Sequence, residues 1–179
     1  MKYPSLFHLV SSAFNKKGVT CVLIGGFAIN FHKVTRNTGD VDFLTTREDY
    51  EKILDSLEDG GFKQEYIHET FARLKTDKPY YIEDLDFMFV DKDVLEKIIK
   101  DGEHATIAGQ KFIVPSVLHL IALKLHSIKY NKKREYKDLL DIMDLIRNNN
   151  VNIKSKEFKE LCLKYGNESL YKRIIDHIS

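Results

Sequence analysis

The sequence predicts an α+β fold, with a mixed β-sheet flanked by helices followed by a C-terminal helical bundle. Two observations carry this. Up to residue 114, short apolar runs of strand character alternate with stretches of helical period, and glycines or turn clusters separate them. From Pro115-Ser116 onward, apolar residues recur with helical spacing. No Ser/Gly linker, low-complexity stretch or repeat intervenes, so the expected division is 1–114 as core and 115–179 as a helical part packed on it.

Each element has a local reason. Residues 5–16 place Leu6, Leu9, Val10 and Phe14 on one side of a helix, with Gly18 as its stop. "TCVLIGG" reads as a short buried strand ending at two glycines, and "FAINFHK" as a short helix behind them. "DVDFLT" is a second strand. Thr46, with Asp49 three residues on, opens a helix whose inward stripe is Tyr50, Ile53, Leu54 and Leu57. Strands are expected at 62–67, 70–76 and 80–90. Asp91 or Asp93 then caps a helix carrying Val94, Leu95, Ile98 and Ile99. "EHATIAGQKFIV" forms a hairpin turning at Ala108–Gln110, and Ser116 caps the long helix that follows.

Composition excludes several classes of function. A net charge of +1 gives no global argument for nucleic acid or a membrane surface. Apolar content of 43% with 31% charged residues fits a soluble globular chain. No apolar run approaches the roughly 18 residues that span a bilayer, and the N-terminus makes a poor signal peptide, so a cytoplasmic protein without membrane contact is expected. Cys21 and Cys162 lie in apolar segments and read as buried free thiols. The histidines lack zinc-type spacing. Charge is concentrated locally, because Lys124, Lys129, Lys132, Lys133, Arg134 and Lys137 face Glu135 alone between 124 and 137. Such runs are usually solvated helix faces.

The chemistry is concentrated in "IGGFAINFHKVTRNTGDVDFL", Ile24 to Leu44. On a strand, Asp40 and Asp42 point to one side with Cα atoms roughly 6.5–7 Å apart. On a helix they would diverge by about 200°. The β-branched Val41, Thr45 and Thr46 favour the strand. Two carboxylates so close need a cation, and oxygen ligands of this kind suit Mg²⁺. A third carboxylate from another strand would complete a two-metal site. Asp86, the single polar residue between Leu85 and Phe87, is that third group, with Asp84 as its rival. Gly25-Gly26, between strand and helix, gives backbone N–H groups room to approach a polyphosphate. Neither a Walker loop nor a dinucleotide fingerprint is present.

Ile24-Gly25-Gly26, Asp40-Val41-Asp42-Phe43 and the later Asp86 together resemble the signature of the DNA polymerase β-like nucleotidyltransferase superfamily. Arg36, Thr38, Asp40 and Asp42 form an alternation common in its bacterial branches, with Thr38 expected on the carboxylate face. Lys124, Arg134, Lys137, Asp138 and Asp141 stand at the spacings of the motif of the AbiEii-type toxin branch. The combined resemblance spans about Val19 to Ile146.

The resemblance implies an NTP-dependent enzyme of the nucleotidyltransferase fold, with residues 1–114 as its catalytic core. Asp40, Asp42 and Asp86 would hold Mg²⁺ (two ions, with Mn²⁺ as an alternative), and Gly25 and Gly26 would cradle the triphosphate. Arg36 and Thr38 would line the nucleotide site, which Lys124, Arg134, Lys137 and Asp138 would complete. A nucleoside monophosphate would pass to an acceptor hydroxyl on an RNA or tRNA end or a protein, releasing pyrophosphate, and a toxin-like enzyme would have an antitoxin partner. One alternative acceptor is an aminoglycoside or lincosamide antibiotic, with Glu83, Asp84 and Glu69 as an acidic wall. A second alternative is a degenerate nucleotide-binding or interaction module. For the second cluster, the plainer reading is a pair of solvated i,i+4 ion pairs, Arg134–Asp138 and Lys137–Asp141.

Overall fold

A computed structural model describes residues 3–77 and 84–178. The chain divides into two compact units. One comprises Met1–Ala28 with Asn37–Pro115, and the other Ile29–Arg36 with Ser116–Ser179. The division therefore falls inside a helix, and a short early segment groups with the late helices.

The first unit is built on a seven-stranded mixed sheet. In chain order its elements are α1 (Leu6–Lys17), β1 (Val22–Ile24), the start of α2 (Gly25–Phe31), β2 (Asp40–Thr45), α3 (Arg47–Glu58), β3 (Phe62–His68), β4 (Phe71–Thr76), β5 (Asp84–Phe89), α4 (Lys92–Lys100), β6 (Glu103–Ile107) and β7 (Gln110–Val114). The strands lie in the order β3-β4-β5-β2-β1-β7-β6. The pairs β2–β5 and β1–β7 are parallel, and the other four are antiparallel.

Local signals account for most boundaries. Gly18 ends α1 in the left-handed conformation, and Leu6, Leu9, Val10 and Phe14 are buried as their spacing predicts. Thr46 accepts a hydrogen bond from the Asp49 N–H at 3.1 Å, capping α3. Ala108 and Gly109, with φ of 49° and 74°, make the two-residue turn between β6 and β7. Three expectations need adjustment. Val94 is 45% exposed, and only Leu95 and Ile98 of the α4 stripe are buried. The expected strand 80–90 is seen over Asp84–Phe89, while Tyr80, Tyr81 and Glu83 lie outside the described residues. The glycine pair begins α2 rather than forming a loop before it.

Phe43 organises the core of this unit. Fully buried in β2, its ring meets Phe14 edge-on at 5.1 Å, stacks on Phe87 at 5.7 Å and lies 5.8 Å from Phe112. Period two therefore turns Val41 and Phe43 into the core and leaves Asp40 and Asp42 on the opposite face.

The second unit holds α5 (Val117–Tyr130), a 3₁₀ turn (Lys132–Arg134), α6 (Glu135–Asn148), α7 (Lys156–Tyr165) and α8 (Glu168–Ile178). Ser116 and Ser155 cap α5 and α7 by accepting from the N–H groups of His119 and Phe158. Leu120, Ile121, Leu125, Ile142, Leu145, Phe158, Cys162 and Ile174 form its apolar centre. Segment 29–36 is tied in by side-chain amides, with Asn149 donating to the His32 carbonyl and Asn148 to the Lys33 carbonyl, at 2.9 and 2.7 Å. Both cysteines are free and buried, and burial pushes each thiol up to about 12. Among the described residues, no helix is long and apolar enough to cross a membrane.

Replacing Phe43 with Ala empties the centre of the aromatic cluster, and a loss of about 3–5 kcal/mol is expected. Urea unfolding checks it, with Phe43→Leu expected to lose less.

Candidate active site

The site is assembled by strand register. In the parallel pair β2–β5, Asp40 aligns with Asp84 and Asp42 with Asp86, so four carboxylate-bearing residues occupy one face as two rows. Of these, Asp40, Asp42 and Asp86 each offer an oxygen, and the three oxygens lie within 4.8 Å of one another. Asp84 is not in this trio. Asp86 is only 5% exposed, whereas Asp40 and Asp42 are half-buried. The hard, all-oxygen donor set fits a divalent cation such as Mg²⁺.

The glycines serve the carboxylates directly. Gly25 has φ +63°, and a Cβ there would fall 1.8 Å from Oδ2 of Asp42. A Cβ on Gly26 would fall 2.5 Å from Cβ of Thr38. The start of α2 thus passes so close to the next strand that only backbone fits. Gly25 therefore gives Asp42 its room, a role that strand–turn–helix reading did not foresee.

Thr38 precedes β2 and is not on the strand, contrary to the simple alternation. Its hydroxyl still donates to Oδ1 of Asp40 at 2.8 Å, fixing that carboxylate. On the other flank, Arg73 of β4 pairs directly across from Asp86. Its Nε and Nη2 donate to Oδ1 and Oδ2 at 2.7 and 2.6 Å, a bidentate ion pair. Sequence reading missed Arg73. Its signal was the alternation of Ala72, Arg73 and Leu74, which sets the arginine apart from two buried apolar neighbours.

The second predicted cluster lies in the helical unit and is closed on itself. Lys124 is 7% exposed, and its Nζ donates to Oδ1 of Asp138 and Oδ2 of Asp141, both at 2.7 Å. Arg36 donates to Asp141 at 2.6 Å, and Arg134 to Asp138 at 3.1 Å. Positive and negative groups thus alternate from Arg36 through Asp141, Lys124 and Asp138 to Arg134. Burial opposes ionisation of Asp138, but Lys124 beside it, with hydrogen bonds from Arg134, Lys124 and Ser127, holds its carboxyl below the usual range. The expected Arg134–Asp138 pair exists, yet Asp138 is wholly buried and so is no solvated ornament. Asp141 is engaged by Lys124 and Arg36, and Lys137 is exposed outside this network.

A seven-stranded mixed sheet with helices, carrying three clustered carboxylates beside a glycine-started helix, has the fold of the nucleotidyltransferases. Residues 6–177 match the model of the family described as "uncharacterised nucleotidyltransferase". The chain belongs to this family and is an enzyme of the nucleotidyltransferase class. No curated protein matches it. Among solved structures, the antibiotic-resistance factor ANT(2'')-Ia is similar at TM-score 0.67 and 16% identity, covering 96% of this chain and 94% of that one. The lincosamide antibiotic adenylyltransferase LnuA, bound to lincomycin, is similar at TM-score 0.54 and 20% identity, covering 76% and 91%. An antigenic nucleotidyltransferase-like protein from Paracoccidioides brasiliensis gives TM-score 0.55 and 17% identity, covering 92% of this chain and 89% of that one. At these identities the likeness is one of fold.

Two expectations follow from this geometry. Gly25→Ala is expected to destabilise by at least about 1–2 kcal/mol through its left-handed backbone, and to displace Asp42. Thermal unfolding reads the first effect, and loss of Mn²⁺ binding by a folded variant reads the second. Lys124→Met strips a buried cation from two carboxylates and is expected to cost about 3 kcal/mol or more. Because the folded Asp138 carboxyl is depressed, its contribution is present above the unfolded value of about 3.9 and is lost as pH falls through the folded value. Urea midpoints for wild type and variant are therefore expected to converge below about pH 4.

Proposed function

We propose that this enzyme transfers a nucleoside monophosphate from a nucleoside triphosphate to an acceptor hydroxyl, with Asp40, Asp42 and Asp86 holding Mg²⁺. The observation that carries the reading is the trio itself, three carboxylates from two parallel strands with oxygens within 4.8 Å. Bound there, Mg²⁺ or Mn²⁺ would supply charge neutralisation for the triphosphate. The chain's own part is positioning. Thr38 orients Asp40, Gly25 leaves space for Asp42, and the N-terminal backbone of α2, with Gly26, approaches the phosphates. Asp86 orients the acceptor hydroxyl. The hydroxyl oxygen bonds to the α-phosphorus as its proton passes to a carboxylate oxygen of Asp86, the α–β phosphoanhydride breaks, and pyrophosphate leaves.

Buried Lys124 and Asp138, with the exposed Arg134 on their outer side, act in this reading as a brace for the segment ending at Arg36, four residues before Asp40 in the chain. Arg36 is held by Asp141 as part of that brace. Lys137, exposed and outside the ion-pair network, is a member of the cluster available to a phosphate-bearing substrate.

Two acceptor classes are supported by different observations. The spacing of Lys124, Arg134, Lys137, Asp138 and Asp141 supports the AbiEii-type toxin reading, in which a tRNA or other RNA end, or a protein, takes the nucleotide and an antitoxin partners the enzyme. The end-to-end fold likeness to ANT(2'')-Ia, also solved with adenylyl-2''-tobramycin, supports an aminoglycoside hydroxyl. Incubation with each α-labelled nucleoside triphosphate, in parallel with total RNA, cell protein, tobramycin or lincomycin, separates them by where the label moves. Asp42→Ala and Asp86→Ala are expected to lower transfer at least 100-fold while leaving the protein folded. Transfer unaffected by either substitution overturns the proposal, and folded protein with no transfer to any acceptor class favours the degenerate module.

A further inference from the structure

Asp86 stands in the sheet between two neighbours of opposite charge. On one side β2 presents Asp42 at the same register, and on the other β4 presents Arg73. The guanidinium takes both Asp86 oxygens, through Nε at 2.7 Å and Nη2 at 2.6 Å. It also lies 5.8 Å from the centre of the Phe71 ring, so two contacts hold it in place. The Arg73 side chain is 37% exposed while that of Asp86 is 7% exposed, so the arginine spans from solvent to the buried end of the trio.

We propose that Arg73 is a built-in countercharge for Asp86, which holds the third carboxylate in the metal-free protein and lowers the affinity of the site for free divalent cations. The inference rests on the metal-site reading above. Three ionised carboxylates so close repel one another, and a cation relieves this. Arg73 supplies one positive charge at the most buried member of the trio, where solvent screens least. A divalent ion entering must then share Asp86 with a bidentate donor, because each oxygen retains only its remaining lone-pair direction. It also meets a like charge across the same carboxylate. Arg73 is thus a positioning residue that sets how strongly the site holds an ion before nucleotide arrives.

The competing view is that Arg73 merely orients Asp86, in which case its loss weakens ion binding, as loss of outer partners at metal sites commonly does. The two views differ in sign. Binding of Mn²⁺ alone, read from the free-ion electron paramagnetic resonance signal, decides between them. Arg73→Gln is expected to bind Mn²⁺ about tenfold more tightly than wild type, within the 10–100-fold range over which outer partners move metal affinity. Arg73→Lys, which keeps the charge without the fork, is expected to fall between. The gain is expected to vanish in Arg73→Gln with Asp86→Asn, since it acts through that carboxylate. Circular dichroism and urea midpoints confirm that each variant is folded, and Arg73→Lys serves if Arg73→Gln is not. Equal or weaker Mn²⁺ binding by the variants overturns the proposal.

The same titration with an α,β-methylene nucleoside triphosphate separates this inference from its foundation. Nucleotide-dependent Mn²⁺ binding by wild type, with no gain on Arg73 substitution, overturns only the role of Arg73. No Mn²⁺ binding by any variant, with or without nucleotide, overturns the metal site and the countercharge together.

Discussion

The parallel register between β2 and β5 is the constraint on which the rest of the first unit depends. Strands lie about 4.8 Å apart, and aligning Asp42 with Asp86 sets like charges side by side, an arrangement that a sheet ordinarily disfavours. It persists because the opposite face is so strongly apolar. Val41, Phe43, Leu85 and Phe87 are all fully buried, and slipping either strand by one residue would turn them outward. The hydrophobic face thus enforces the electrostatic crowding on the other. Asp42 then needs volume that only a residue without Cβ can leave, which ties the beginning of α2 to the chemistry.

Two ionic clusters in one chain have opposite character. In the helical unit, Lys124 and Arg134 donate to Asp138, and Lys124 and Arg36 donate to Asp141, so each carboxylate meets two cations. A group that bound one of these side chains would first have to replace an existing ion pair. In the sheet unit, Thr38 donates to Asp40 and Arg73 to Asp86, and oxygens of the three carboxylates crowd within 4.8 Å of one another. Carboxylates crowded in this way favour a bound cation.

How much of this was readable in the sequence depends on the range of each cause. Asp40 and Asp42 were legible because period two is local, and Asp86 because one polar residue stood inside an apolar run. Caps such as Thr46 and Ser116 were legible for the same reason. Arg73 was not, since its role exists only once β4 has paired with β5 in one register. The use of Gly25 was hidden likewise, for the atom it would strike belongs to Asp42, seventeen positions later. Lys124, Asp138 and Asp141 were singled out by spacing. Their burial and the claim of Arg36 on Asp141 were invisible, because these arise from packing between segments far apart in the chain.

The discontinuous helical unit has a consequence for the order in which the nascent chain can mature. Arg36 leaves the ribosome 105 residues ahead of Asp141, an interval of about 5–20 s at 5–20 residues per second. Until the chain passes Ser116, the stretch from Ile29 to Arg36 has been made but the helices it groups with have not. The last helices to be synthesised therefore secure one of the earliest pieces of the polypeptide, so translation must run well past Pro115 before that piece finds its place.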